Sequence, residues 1–487
     1  MSANSSRTST GVAGLDDILY GGLTPNRLYL VEGMPGSGKT TLAFQFLLEG
    51  VRLGETVLYV TLSETEEEIR SVAQSHGWSL DQVAVRELTP TESTLDPEEQ
   101  YTVFHPSEVE LSDTTRKFLD EVDKRRPARI AIDSLSELRL LAGSSLRYRR
   151  QILALKRFFA GRRCTVLMLD DLTSATHDLQ VQSIAHGALL LEHAIPSFGV
   201  ARRRMRVTKF RGSDFRGGYH DYRIRRGGLE IFPRLVAAEY RGASNRERLT
   251  SGVAELDALL GGGLERGTST LIQGAAGTGK STVAAMFAAS AAGRGHRAAM
   301  FIFDESAGTL RSRMASLNVD LDEPIRAGRL TVSEIDPAEL SPGEFAHNIR
   351  LAVERDQSSV IVIDSLNGYL NSMPDEKFLI AQLHELLTFL GQRGVATVLV
   401  SAQQGMISSN MSAPVDASYL ADAVVLLRYF ELDGEVRQVI SVVKMRGGKH
   451  ERTLREFRMT DGGVSVGAPL RGFRGVLTGI PEKLAAL

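Results

Sequence analysis

Uninterrupted apolar runs, rather than alternating ones, punctuate this chain: LYLVEG at 28–33, TVLYVTLSE at 56–64 and RIAIDSL at 129–135, then STLIQG at 269–274, AAMFIFDES at 298–306, SVIVIDSL at 359–366 and ATVLVSAQQ at 396–404. A strand that is apolar on both sides of its pleat is covered on both faces, so these runs predict parallel sheets flanked by helices. Helical stretches lie between them, one running through Leu48 and one beginning near Glu66. Strands that alternate with helices give an α/β fold. After the last parallel strand each half closes with segments that read as an antiparallel hairpin. These are RMRVTKFRGS to YRIRRGGLEIF in the first half and RQVISVVKMRGG to REFRMTDGGVSV in the second.

The pattern occurs twice because the sequence does. GVAGLDDILYGGL at Gly11 to Leu23 returns as GVAELDALLGGGL at Gly252 to Leu264, and fifteen of 31 positions from Gly11 to Thr41 match the residues 241 further on. Internal duplication fixes the architecture before any finer reading. With 487 residues, each half is a plausible large α/β domain. The expected domains are 1–243 and 244–487, joined by a linker of small and charged residues around AAEYRGASNRERLTSG.

The chemistry sits where the first strand of each half ends. GMPGSGKT at Gly33 to Thr40 and GAAGTGKS at Gly274 to Ser281 both fit G-x-x-x-x-G-K-[ST]. In such a loop the glycines let successive N–H groups face phosphate oxygens, the Lys reaches the β- and γ-phosphates, and the hydroxyl residue holds Mg²⁺. Gly36, Ser37, Gly38, Lys39, Thr40 and Thr41 are therefore the ATP-binding candidates of the first half. Gly277, Thr278, Gly279, Lys280, Ser281 and Thr282 are those of the second, with Thr40 and Ser281 as candidate Mg²⁺ ligands. Asp133 ends RIAID and Asp364 ends IVID, at the carboxyl end of buried strands where open α/β sheets place ligands. Their expected role is to hold the water shell of Mg²⁺ beside ATP. A helix N-cap is the alternative for either alone.

Totals exclude rather than identify. The formal net charge is −2, with 43% hydrophobic and 24% charged residues, ordinary values that imply no strongly charged partner. The N-terminus is short and polar, and no run approaches the roughly 20 apolar residues of a membrane helix. A cytoplasmic location without membrane contact is expected. Cys164 is the only cysteine, which rules out an internal disulfide and a Cys-rich zinc module. It reads as a small buried hydrophobe.

The paired GV-x-x-LD-x-x-x-x-GGL leaders, both phosphate loops, both IDSL strands, the KFRG and KMRG tetrapeptides and the closing segment ADAVVLLRYFE to VVKMRGGKHERTLREF together resemble the KaiC family over essentially the whole chain. That family comprises double-domain RecA-like ATPases and autokinases of the circadian clock. The resemblance implies two tandem RecA-like domains, ATP bound between neighbouring subunits, and a homo-hexamer of two stacked rings. It aligns the family's trans-acting basic pair with Lys209 and Arg211 in the first half, and with Lys444 and Arg446 in the second. A planar Arg supplied by a neighbour stabilises γ-phosphate charge in other NTPases.

The family's paired acids after the second strand fall on Ser63-Glu64 and Asp304-Glu305, and both depart from Glu-Glu. Glu64, Asp304 and Glu305 are thus the candidate bases, with Asp304 also near the metal. The family's phosphorylated pair aligns with Ser418 and Tyr419, with Tyr standing where Thr is usual. Ser408, Ser409 and Ser412 in the same loop are equally eligible without the resemblance. The C-terminal extension that a KaiA partner grips in the family is nearly absent here, so a KaiA-type partner is not expected. A KaiB-like or two-component signalling partner remains open.

Two rival classes share the fold. A RecA/RadA-like DNA-dependent ATPase would use the stretch Arg202 to Arg226, which carries ten Lys or Arg against two Asp. No DNA-binding module accompanies it, and alternate hairpin residues point to opposite faces, so DNA is not the expected partner. A nucleotide-gated scaffold with little turnover is the other, favoured in the first half by Ser63 in place of an acid.

Overall fold

A computed structural model describes residues 7–88, 106–172, 179–196, 199–240, 247–371, 378–403, 418–478 and 482–483. The chain forms two compact units, Met1–Arg234 and Leu235–Leu487. The break falls ahead of the 243/244 division expected from the sequence. The reason is packing: the Ala237 N–H donates to Glu385 at 2.9 Å and the Tyr240 ring meets Phe389 edge-on at 4.8 Å. The first residues of the expected linker are thereby part of the second unit.

In the first unit the strands are β1 (Leu28–Gly33), β2 (Val57–Thr61), β3 (Ala84–Glu87), β4 (Arg129–Asp133), β5 (Thr165–Asp171), β6 (Gly187–Ala194), β7 (Arg202–Phe210), β8 (His220–Arg225) and β9 (Gly228–Phe232). They form one sheet in the order β3-β2-β4-β5-β1-β6-β7-β8-β9. The pairings from β3 to β6 are parallel, and those from β6 to β9 are antiparallel.

The second unit opens with a short ribbon of β10 (Arg248–Leu249) and β11 (Leu264–Glu265). Its main strands are β12 (Ser269–Gly274), β13 (Ala298–Ile302), β14 (Leu330–Glu334), β15 (Val360–Asp364), β16 (Ala396–Ala402), β17 (Ala423–Leu432), β18 (Glu435–Met445), β19 (Arg455–Thr460) and β20 (Gly463–Pro469). Their order, β14-β13-β15-β16-β12-β17-β18-β19-β20, repeats the first sheet position for position.

Each sheet has a core on both faces, as continuous apolar strands require. Along β1, Tyr29 and Val31 join one cluster with Phe44, Phe46 and Leu47 of the helix Lys39–Arg52, while Leu28 and Leu30 join the opposite one with Tyr148, Ile152 and Phe159. Ile272 and Leu271 divide the same way in β12. Cys164 is buried in the first unit, and burial pushes its thiol pKa up to about 12. Among the described residues, no helix is long and apolar enough to cross a membrane.

Candidate nucleotide-binding sites

In both units the phosphate loop leaves the carboxyl end of the central strand, β1 or β12, and runs into a helix that begins at the loop lysine. The glycines explain why the loop can form. Gly36 and Gly38 take φ of +78° and +94°, and Gly277 and Gly279 take +79° and +91°, a region that costs an L side chain but not glycine. A Cβ on Gly38 would stand 2.7 Å from the Ile224 side chain, and one on Gly279 would stand 2.8 Å from the Phe457 ring. The β8–β9 and β19–β20 hairpins therefore roof the two loops closely. Tyr222 reinforces the first roof by donating its hydroxyl to the Ser37 carbonyl at 2.6 Å. Among the described residues nothing lies within 4 Å of a Cβ placed on Gly36. Ser37 and Thr278 are fully buried, and Thr41 and Thr282 are buried behind the lysines.

Lys39 and Lys280 are themselves buried. Lys39 donates to the Gly33 and Met34 carbonyls at 2.9 and 3.2 Å and pairs with Asp171 at 2.7 Å. Lys280 donates to the Ala275 carbonyl at 2.6 Å, and burial lowers its pKa.

The strand-end acids meet the loop hydroxyls. Thr40 donates to Asp133 Oδ2 at 2.8 Å, and the Tyr59 hydroxyl reaches the same oxygen at 2.7 Å. Burial raises the pKa of Asp133, against the pull of these two donors. Ser281 likewise hydrogen-bonds Asp364, whose pKa burial raises to about 6, with Glu305 and Asp304 adding repulsion. Asp364 Oδ2 is buried with no hydrogen-bond partner among the described residues. An orphaned carboxylate oxygen beside a loop hydroxyl fits a cation or its water shell.

The paired acids after β2 and β13 diverge. Ser63 is exposed, while Glu64 sits in a tight turn closed by the Thr61 hydroxyl, 2.9 Å from the Glu64 N–H. Among the described residues Glu64 Oε2 is buried without a partner, and the Glu64 pKa is raised by burial and then by Asp133, Glu68 and Asp171. Asp304 is exposed and accepts a bond from Ser365. Glu305 is held bidentately by Arg313 at 2.6 and 2.8 Å. Of the two acids, Asp304 is the one left facing outward.

The basic pairs do not join these groups. Lys209 pairs across the ladder with Ala188, near the start of β6, whereas Gly33 is level with Leu191. Lys444 pairs with Val424, next to Ala423, which is level with Thr270 at the start of β12. Both lysines stand toward the amino end of the parallel strands, three residues or roughly 10 Å of strand away from the loop level. There they tether the chain segment entering the next strand. Lys209 and Arg211 donate to the carbonyls of Gln182 and Ser183. Lys444 donates to those of Ser418 and Ala421 at 2.7 and 2.8 Å, and Arg446 to that of Tyr419 at 2.5 Å. Tyr419 is exposed and Ser418 half-buried, whereas Ser408, Ser409 and Ser412 lie outside the described residues.

The basic stretch 202–226 is largely spoken for. Arg204 pairs with Glu192, Arg216 with Asp17 and Arg225 with Glu230. Four groups escape a motif-based reading: Asp171, Arg313, Tyr59 and Tyr222. Only Asp171 leaves a sequence signal, as an acid closing the apolar run LMLDD.

Comparison with known proteins shows the family. The family model described as "ATPase: KaiC" matches residues 8–236 and again 249–471. The circadian clock oscillator protein KaiC of Thermostichus vulcanus is 28% identical over 492 residues, 99% of this chain and 93% of its own. That of Synechococcus elongatus is 28% identical over 483 residues, covering 98% and 92%. With the duplicated sheet, the two phosphate loops and the strand-end acids, the matched repeats make this chain a member of the KaiC ATPase family.

Proposed function

We propose that the protein is an ATP-dependent autokinase working as a closed ring of copies, six by family likeness, in which each half binds ATP and the second half phosphorylates Ser418 of a neighbour. One observation carries the reading: Lys280 stands at the carboxyl end of β12 and Ser418, Lys444 and Arg446 at its amino end. A chain arranged this way cannot bring its own acceptor to its own phosphate loop. The loop of one copy and the acceptor face of the next complete a single site.

The residues divide the chemistry between two chains. Lys280 neutralises the β- and γ-phosphates from its own side. Lys444 and Arg446 of the neighbour steady the charge that develops on the transferred group. Because they also tether the Ser418 loop, acceptor and cations arrive together. Asp304 takes the Ser418 proton as the new O–P bond forms and the bond to ADP breaks, the electron pair leaving with ADP. Mg²⁺ fits beside Ser281 and Asp364, and beside Thr40 and Asp133, where it would neutralise phosphate charge. In the first half Glu64 is the carboxylate available to orient water for hydrolysis, beside the exposed Ser63. The relatives' description as circadian clock proteins supports a timing or signalling output; a cytoplasmic location and a KaiB-like or two-component partner belong to the same proposal.

Mixing tests this directly. Lys280→Ala supplies an acceptor without a donor, and Ser418→Ala a donor without an acceptor. The mixture should transfer label from γ-phosphate to the Lys280→Ala chain, while neither variant alone labels appreciably. Labelling of Ser418→Ala alone at the wild-type level would move the acceptor elsewhere. No label in wild type despite ATP binding leaves an ATPase or nucleotide-gated scaffold.

A further inference from the structure

The two phosphate loops differ in what holds the lysine. At the first, the Lys39 ammonium has three protons and three partners: the Gly33 carbonyl at 2.9 Å, the Met34 carbonyl at 3.2 Å and Asp171 Oδ1 at 2.7 Å. Asp171 ends β5, level with Gly33 in the parallel ladder, and its other oxygen accepts from Ser136 at 3.2 Å. The carboxylate is thus fixed from two sides yet remains partly exposed, at 27%. In the second unit the residue level with Gly274 is Ala402, whose backbone is held instead by Asn367 at 2.7 and 3.0 Å. Among the described residues, no carboxylate lies within ion-pair distance of Lys280.

An anion on this lysine stands where a nucleotide's terminal phosphate belongs. We propose that Asp171 takes the place of the γ-phosphate on Lys39 and makes the first loop select nucleoside diphosphate over triphosphate, a preference the second loop lacks. A diphosphate can be bound with the Lys39–Asp171 pair intact. A triphosphate must displace a tethered carboxylate and then sit beside its charge. No covalent step is involved. The inference rests on the reading of Gly33–Thr40 as a nucleotide loop and assigns that loop its preferred ligand.

The test uses the full chain carrying Lys280→Ala, so that only the first loop binds, and measures equilibrium affinity for ADP and for an ATP analogue with a β,γ-imido bridge. The parent should bind ADP more tightly than the analogue. Asp171→Asn, which keeps size and the Ser136 contact, should tighten the analogue by about tenfold or more, since it removes a like charge beside the terminal phosphate. ADP affinity should move little. The reciprocal Ala402→Asp, in a Lys39→Ala chain, should weaken the analogue at the second loop while sparing ADP. It also carries the test if Asp171→Asn fails to fold. Equal shifts for both nucleotides, or none, overturn the proposal while leaving the nucleotide site standing. Absence of ADP binding at the first loop rejects the site itself, and the proposal with it.

Discussion

Asp133 and Asp364 occupy matching strand ends, yet their partners differ. Asp133 receives Thr40 and Tyr59 on one oxygen, whereas Asp364 keeps an oxygen with no partner among the described residues. Burial raises the Asp364 pKa to about 6, well above the ordinary carboxylate range. A carboxyl whose folded pKa is raised binds protons more readily folded than unfolded, so stability falls as pH rises through the window from about 4 to about 6. Above it the full penalty applies, on the order of 2–3 kcal/mol. Without nucleotide, Asp364→Asn should therefore raise the melting temperature at pH 8, with the gain vanishing near pH 4. A variant that is less stable than wild type at pH 8 contradicts the burial account. The same substitution should weaken Mg-ATP binding at the second loop, because the orphaned oxygen is the one a cation would use.

The hairpins beyond β6 and β17 act as roofs, and their sequence decides how firmly each holds its loop. Tyr222 bonds the Ser37 carbonyl, while Phe457, at the matching place over Gly279, has no hydroxyl to offer. Tyr222→Phe should cost about 1 kcal/mol, the usual net worth of such a bond. Hydrogen exchange of loop amides should quicken at 33–40 and stay unchanged at 274–281. Equal change at both loops would mean that the roof is not local.

Much of this was legible from the chain. Strands buried on both faces announce themselves as apolar runs, and the loops follow them in sequence. The edge strand AVRE of β3 is polar and half-exposed, so no pattern marks it. The Lys39–Asp171 pair joins residues far apart in the chain. It depends on β5 lying beside β1, and strand order is not written in periodicity. Glu305 stands out as one of the paired acids, but its Arg313 partner does not, since it lies eight residues on, about two turns along the helix Ala307–Ser316, with no motif to mark it.

Within each unit the phosphate loop and the basic pair face opposite ends of one sheet, and this governs how copies can associate. A contact joining the loop of one chain to the basic pair of the next is head-to-tail, and such contacts close into rings or run on as filaments. With ATP as the shared ligand, assembly should depend on nucleotide by mass action, since ATP touching both chains favours the joined state over the free chains. Sedimentation should show a species near six chains with Mg-ATP and smaller species without it, the count resting on family likeness. Lys39→Ala with Lys280→Ala should abolish the large species. Arg446→Ala should weaken it and also loosen the Ser418 loop, because Arg446 holds the Tyr419 carbonyl and lies 3.6 Å from Asp422. The ion-mediated part of the contact should also weaken as salt rises. A chain that stays monomeric with saturating Mg-ATP, at concentrations where both loops are occupied, would separate nucleotide binding from assembly and remove the basis for transfer between subunits.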